Sequence, residues 1–476
     1  MTGLEQYDLV IIGAGPAGMA AAREAGEAGL NTLILDEQPR AGGQIYRNIG
    51  RPILRDRSIL GNDYYVGESL LAGLTHSLVT HIVNATVWEV TADNTLYYSA
   101  EGVSRQVRFK KLLLATGAQE RPVPFDGWTL PGVMTCGAAQ ILLKSSGLTP
   151  AEPLVIAGSG PLLLLIACQL IRTDARIEAI VDTTPACNYG QAFKEIGGAI
   201  KGWRYLLKGM RMLNEVRRSG VKYYKSATEL RAEPGGDGNL ASVSFRKGNI
   251  LHQLDCKTLL VHQGVVPNTQ LGRAIGLEHQ WDEVQQCWKP TLSENGCSSH
   301  PDIFIAGDSA GIGGAMVAEI QGRLVARWIV HQLGGTERRD PGIDSLRKEL
   351  IDQLAIRPFL DHLYRPLDMF LKPQGETIVC RCEEVSAAEI RGLVKQGCIG
   401  PNQTKAFCRS GMGPCQGRQC GATVTTLLAD ELGKSPVEVG YYNIRFPIKP
   451  VSLGELAGLN QTRSVKAQTD QTTARN

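Results

Sequence analysis

The chain has 476 residues, 43% of them hydrophobic and 20% charged, with a formal net charge of +3. These totals fit an ordinary soluble protein of two or three domains and leave no cationic excess for a polyanion, so nucleic-acid binding is not expected. The opening MTGLEQYDLVIIGAGPAG lacks a basic n-region and a small-residue cleavage site, and the most continuous apolar stretch, around Leu162 to Ile171, is too short to span a bilayer. The expectation is a cytoplasmic protein with no transmembrane segment.

Residues 7–12 (YDLVII) predict a buried strand, then a glycine turn and an Ala-rich helix to about Gly29; residues 31–35 predict a second strand that stops at Asp36. Together they are the first half of a parallel, doubly wound sheet. The turn, Gly13-Ala14-Gly15-Pro16-Ala17-Gly18, fits G-x-G-x-x-G. Gly13 permits the tight turn, Gly15 lets a pyrophosphate reach the backbone, and Gly18 lets the helix pack on the strand. The helix start at Pro16 and Ala17 offers unpaired N–H groups and a partial positive charge to phosphates. Asp36 is placed to accept from ribose hydroxyls, with Glu37 as the neighbouring candidate. Residues 110–115 predict another apolar strand, closing at Thr116–Gly117.

A second strand–turn–helix–strand unit begins at Leu154 and ends at Asp182, after the Pro/Gly-rich connection 121–132, which suggests a duplicated fold. Its turn, Gly158-Ser159-Gly160-Pro161-Leu162-Leu163, carries leucine at the third glycine position, and no arginine cluster follows Asp182. A side chain there pushes helix from strand, so the incomplete fingerprint argues against a working NAD or NADP site. Segments 239–246 and 250–256 alternate like a hairpin, residues 258–261 predict a buried strand, and residues 302–306 another that runs into Gly307–Asp308 and a helix from about Gly314. The first 335 residues hold no close cysteine pair, which disfavours disulfide chemistry. The basic run Lys201 to Arg218 reads as a helix that is either a docking face or, the expected case, a solvated face.

Eight of the twelve cysteines are scattered singly and read as small buried hydrophobes. The other four form two tight pairs, Cys380-Arg381-Cys382 and, thirty-two residues on, Cys415-Gln416-Gly417-Arg418-Gln419-Cys420. Four thiolates can hold a [2Fe–2S] cluster or a structural zinc. A C-x-C pair is a strained zinc chelate, and the Gly-rich, cationic loop 409–421 can aim N–H groups at sulfur, which favours iron–sulfur. A helix expected from near Gly417 would add its dipole, Ser386-Ala-Ala-Glu389 predicts a capping box, and Cys408 is the one plausible substitute ligand. The run 443–456 suits an extended arm, docked on a neighbour or folded back on its own domain. The last residues lack apolar content and are expected to be mobile.

The first glycine turn, with Ala115-Thr116-Gly117 and Ile305-Ala306-Gly307-Asp308, resembles the two-dinucleotide-domain flavoproteins that include glutathione and thioredoxin reductases, over roughly residues 5–335. The resemblance implies FAD, with Asp308 on the ribityl chain and Gly42-Gly43-Gln44 beside the flavin. The cysteine unit resembles the small [2Fe–2S] domain of bacterioferritin-associated ferredoxin, with C-x4-C here where many have C-x2-C. The expected fold is thus α/β: two Rossmann-like dinucleotide-binding domains plus a small α-helical C-terminal [2Fe–2S] domain. The expected division is an FAD domain at 1–125 and 265–335, a second dinucleotide domain at 126–264, and a connector at 336–375. The cluster unit follows at 376–433, an arm at 434–460 and a tail at 461–476.

Longer stretches resemble a narrower family. They are ERPVPFDGWTLPGVM (120–134), AGSGPLL (157–163), CRCE (380–383), GMGPCQGRQC (411–420) and VGYYNIRFPIKP (439–450). Together they look like the α (A) subunit of multi-subunit amino-acid dehydrogenases: opine oxidases of the octopine and nopaline types, D-hydroxyproline dehydrogenase, dye-linked L-proline dehydrogenase and, more distantly, hydrogen cyanide synthase. That resemblance implies a heteromer in which a β subunit, an FAD amine-oxidase-like protein, oxidises the C–N bond of a small amino-acid substrate. The α subunit receives the electrons for an unnamed acceptor, often with FMN at the interface. No substrate-oxidising residue is evident in this chain, and none is assigned. Two other readings stand beside it: a free-standing NAD(P)H-dependent FAD/[2Fe–2S] reductase, and a non-catalytic scaffold.

Overall fold

In the computed structural model, which describes residues 4–334 and 341–459, the strand Gln6–Ile12 sits at the centre of a sheet, where its second half, Leu9–Ile12, is apolar and buried. It pairs in parallel with Thr32–Leu35 on one side (Val10 opposite Leu33) and with Val103–Leu114 on the other (Val10 opposite Leu112). Val79–Ile82 extends the sheet beyond Thr32–Leu35, and Ile303–Ile305 joins Val103–Leu114, both in parallel. The first half of Val103–Leu114 alternates and pairs antiparallel with Thr95–Ala100, which in turn pairs with Ala85–Val90. One long strand therefore serves a buried parallel sheet with its apolar end and a meander with its alternating end.

The second unit repeats this plan. Lys222–Tyr224, Ile177–Asp182, Leu154–Ser159, Thr258–Gln263 and Val133–Thr135 form a parallel sheet in that order. Thr228–Pro234, Leu240–Lys247 and Ile250–Asp255 form its antiparallel meander. Leu163, in place of the third glycine, is fully buried in the core between this sheet and the helix Pro161–Ile171. The leucine is accommodated as packing.

Buried polar contacts tie the two units together. Lys144, on the helix Cys136–Ser146, donates to the carbonyls of Gln44 (3.2 Å) and Ile45 (2.8 Å) and to Gln140 Oε1 (2.9 Å). Glu120 accepts from the Gly137 N–H (2.8 Å) and lies 2.7 Å from His262 Nδ1. The long helix Ala315–Gly334 crosses Pro16–Glu27 so closely that a Cβ on Gly322 would sit 2.1 Å from the Ala17 carbonyl oxygen.

Residues 341–371, read as a connector, hold the helices Pro341–Leu354, Arg357–Leu363 and Asp368–Leu371. The cysteine unit has a short hairpin, Ile378–Cys380 with Val385–Ser386, and the helices Ala387–Lys395, Pro401–Cys408 and Gly421–Leu432. That last helix starts at Gly421 rather than near Gly417, because residues 415–420 are spent on the cysteine turn. Ser386 caps its helix by accepting from the Glu389 N–H (3.2 Å), without the reciprocal half of a capping box. The predicted tail, 461–476, lies outside the described residues. Among those residues no helix is long and apolar enough to cross a membrane.

Candidate flavin and cysteine-cluster site

The first glycine turn has the backbone its motif requires. Gly13 adopts φ +104°, where a Cβ would sit 2.4 Å from the Ala115 carbonyl oxygen; a Cβ on Gly18 would sit 1.9 Å from the Gly13 oxygen. Gly15 differs. A Cβ there would meet no atom nearer than the Gly43 Cα at 3.8 Å, so the space beside it is left open by the protein. The helix behind it starts at Pro16 with no side-chain cap, and the N–H groups of its first turn, Ala17 and Gly18 among them, face that space without a capping partner. The Gly42 N–H donates to the Ala14 carbonyl (2.8 Å), which brings Gly43 and Gln44 to the turn.

Asp36 is buried and accepts from the N–H of Ala14 (2.6 Å) and of Gln38 (2.7 Å); burial raises its pKa against the pull of those two donors. Glu37 points away, pairing with Lys449 at 2.8 Å. Thr116 Oγ1 donates to the Asn268 carbonyl (3.3 Å), and the Asn268 N–H donates to the Gly117 carbonyl (3.0 Å). Asp308, just after Gly307 (φ +77°), accepts on Oδ1 from the N–H of Gly313 and Gly314, each at 2.9 Å. Its Oδ2 has no hydrogen-bond partner among the described residues. Open space beside Gly15, uncapped N–H donors and a carboxylate oxygen at the far end of the same sheet fit a dinucleotide laid across the strand ends.

The four predicted cysteines meet as two pairs, each joining one residue from either arm of the motif. Cys382 Sγ lies 3.8 Å from Cys415 Sγ, near the surface. Cys380 and Cys420 are buried and hydrogen-bonded to each other. The hydrogen bond from Cys420, with the N–H groups of Gly411, Glu383 and Cys382, pulls the Cys380 thiol down to about 5, while the bond to Cys380 and burial push Cys420 up. Among the described residues no three His, Cys, Asp or Glu side chains close around a single metal-ion position. Cys408 is instead taken up by the Thr404 carbonyl (3.3 Å).

Tyr442 holds the cysteine turn in shape. Its ring lies under Gly411 and Gly417, where added Cβ atoms would come within 2.5 and 2.4 Å of it, and its hydroxyl meets Thr404 Oγ1 (3.2 Å) and Ser410 Oγ (3.1 Å). The C-terminal run folds back on its own chain: the Ile448 N–H donates to the Trp88 carbonyl (3.0 Å), and Gln416 Nε2 donates to the Pro447 carbonyl (2.6 Å).

The cysteine turn is docked on the hinge between the two larger units. Gln119 Nε2 donates to the Arg418 carbonyl (2.9 Å), and Gln270 Nε2 reaches the carbonyls of Gln416 (3.1 Å) and Cys415 (3.4 Å). Gln119 and Gln270 flank Thr116–Gly117 and Asn268, so the cysteine turn lies one layer of side chains from the end of the first site. No motif marks these two glutamines; only the fold brings them to the cysteines.

Residues 7–322 match the Pyridine nucleotide-disulphide oxidoreductase family, and residues 374–459 match the Sarcosine oxidase A3 domain. The chain is 43% identical to the opine oxidase A subunit of Agrobacterium tumefaciens (strain Ach5), over 97% of this chain and 94% of that one. It is 41% identical to the opine oxidase A subunit of Rhizobium meliloti (strain 1021), over 95% and 99%. The chain belongs to the pyridine nucleotide-disulphide oxidoreductase family, with the opine oxidase A subunits. It is thereby an oxidoreductase subunit, and membership in this family implies FAD binding. The crystal structure of L-proline dehydrogenase from P. horikoshii shares the fold, with a TM-score of 0.69 at 19% identity, over 96% of this chain and 81% of that one.

Proposed function

We propose that this chain is the electron-accepting subunit of a heteromeric flavoprotein that oxidises the C–N bond of a secondary amino acid to an imine. The substrate is an opine of the octopine or nopaline type, or an imino acid such as D-hydroxyproline or proline. A β subunit resembling FAD amine oxidases removes the electron pair and two protons, R₂CH–NH–R′ to R₂C=N–R′, and water then splits the imine into a 2-oxo compound and an amine. When bound, FAD takes up electrons in pairs and a [2Fe–2S] cluster passes them singly to an acceptor. FMN at the subunit interface belongs to the same reading, with no residue of this chain assigned to it.

The remaining roles belong to this chain's own residues. Gly15 and the N–H groups of Ala17 and Gly18 receive the pyrophosphate, Asp36 orders the turn and faces the ribose, and Asp308 offers Oδ2 to the ribityl hydroxyls. Cys380, Cys382, Cys415 and Cys420 hold the cluster. Their division into two pairs suits a two-iron core, which takes two thiolates per metal, better than one zinc. The observation that carries the reading is the bonding of the cysteine turn to the hinge through Gln119 and Gln270, beside Thr116–Gly117.

A free-standing NAD(P)H reductase is the weaker reading: at the second turn Leu163 replaces the third glycine, and the His262 ring stands 3.4 Å from where a Cβ on Gly160 would lie, whereas the matching space beside Gly15 is open. The test is anaerobic mixing of the co-expressed complex with octopine, nopaline, D-hydroxyproline, proline and NADH. Bleaching of the flavin by one of the amino acids and not by NADH is expected. Rapid bleaching of the isolated chain by NADH would overturn the proposal.

A further inference from the structure

Three consecutive helices, Ala186–Phe193, Ile196–Lys201 and Trp203–Arg218, carry Tyr189, Phe193, Ile196, Ile200 and Trp203 at steps of four, three, four and three residues. The run is broken at Glu195 and Gly202, so these large side chains form a stripe shared by three short helices, and in a single chain such a stripe normally faces the core. Here it faces out, with exposures of 52%, 68%, 36%, 63% and 56%. The inward positions, one residue earlier, are Asn188, Ala192, Ala199 and Gly202. They seat the run on the connector helices: Asn188 Nδ2 donates to the Leu363 carbonyl (3.1 Å), and a Cβ on Gly202 would sit 2.6 Å from that of Ile356. The small residues anchor the run and the large ones are displayed.

Two further features say what covers the stripe. Gly190 and Gly197 have no atom within 4 Å of where a Cβ would stand, so another backbone can approach closely there. Cations outnumber Glu195 along the run: Lys201 and Arg204 are in no ion pair with a carboxylate among the described residues, and Arg204 lies 5.8 Å over the Trp203 ring. An exposed apolar stripe with a cationic border calls for a partner surface that is apolar with an acidic border.

We propose that this stripe is the docking face for the β subunit, which lays an apolar, acid-rimmed surface along it. This rests on the assembly reading given under Proposed function. The test compares the full chain with F193E/W203E and F193L variants, each co-expressed with the β subunit, by size-exclusion chromatography and a binding titration. The double variant is expected to weaken assembly by about 30-fold or more, the scale of losing a buried aromatic anchor. F193L is expected to assemble normally, with flavin content and melting temperature unchanged in both.

Four outcomes would overturn the proposal. One is unchanged assembly by the double variant. Another is loss of binding to phosphatidylglycerol vesicles with assembly intact, which would assign the stripe to a bilayer. A third is loss of a homodimer with the heteromer intact. The last is an unmutated chain that forms no heteromer, which would take down the assembly reading and this inference with it.

Discussion

Gly15 and Gly18 stand three residues apart in one turn, and a methyl group acts differently on each. At Gly18 the new Cβ would lie 1.9 Å from the Gly13 carbonyl oxygen, so helix and strand must separate. Gly18→Ala is expected to cost at least about 1–3 kcal/mol and to lower the melting temperature. At Gly15 the methyl meets only open space in the protein and blocks the approach of a pyrophosphate. Gly15→Ala is therefore expected to keep its melting temperature within a few degrees while flavin content falls sharply, as measured by absorbance of the purified chain. Equal loss of fold and flavin in both variants would contradict this division of roles.

Lys144 is nearly free of solvent, and its desolvation, with the nearby Arg47 charge, lowers its pKa from 10.5 to about 7. In the unfolded chain it keeps its ordinary value, so between those two values the unfolded state binds the extra proton. Stability contributed at this site is accordingly lowest below pH 7 and rises as pH climbs from 7 towards 10. Denaturation midpoints of the unmutated chain should gain on those of Lys144→Met across that window. A difference that is flat with pH would remove the buried-cation account.

At the level of elements, the first strand–turn–helix was legible because short-range sterics dictate it: a buried apolar run, a turn that only glycine can make, and a helix opened by Pro16. The cysteine pairs were legible for a similar reason, since tight pairs of thiolates are rarely packing alone. What the sequence could not display is where separate elements meet. Gln119, Gln270 and Lys144 carry the contacts between units, yet nothing in their local pattern distinguishes them from surface residues. The cysteine-unit helix began four residues later than expected because its first turn is consumed in holding Cys415 and Cys420. Cys187, expected to be buried packing, is exposed on the helix Ala186–Phe193.

Tyr442 belongs to the same level. It comes from the C-terminal run, and its ring supports two glycines of the cysteine turn. Tyr442→Ala should leave a cavity there costing about 3–5 kcal/mol, and should lower iron content before it lowers flavin content. A variant with normal iron would show that the arm is decoration.

On the scale of the whole molecule, the arrangement is a duplicated α/β body whose second half has kept its architecture while Leu163 and Asp182 serve packing and internal hydrogen bonds. The cysteine unit sits on the hinge rather than at a distance from it, held through Gln119, Gln270 and the returning arm. Trp128 Nε1 adds a bond to the Ile378 carbonyl at 2.7 Å. Gln119→Leu/Gln270→Leu should loosen that seat. In the anaerobic complex the expected result is substrate-driven flavin bleaching at the unmutated rate, with electron arrival at the cysteine unit slowed at least about tenfold. Rapid-freeze paramagnetic resonance would read that arrival, and an unchanged rate would place the route elsewhere.

Whether one polypeptide holds a flavin beside a two-iron cluster is decided by its composition. The chain should be purified without oxygen and assayed for FAD, iron, acid-labile sulfide and zinc. The expected composition is FAD with about two irons and two sulfides per chain, the iron and sulfide lost in Cys380→Ser or Cys420→Ser while FAD stays. A protein that carries zinc and no labile sulfide, or that comes off the column colourless, would contradict it.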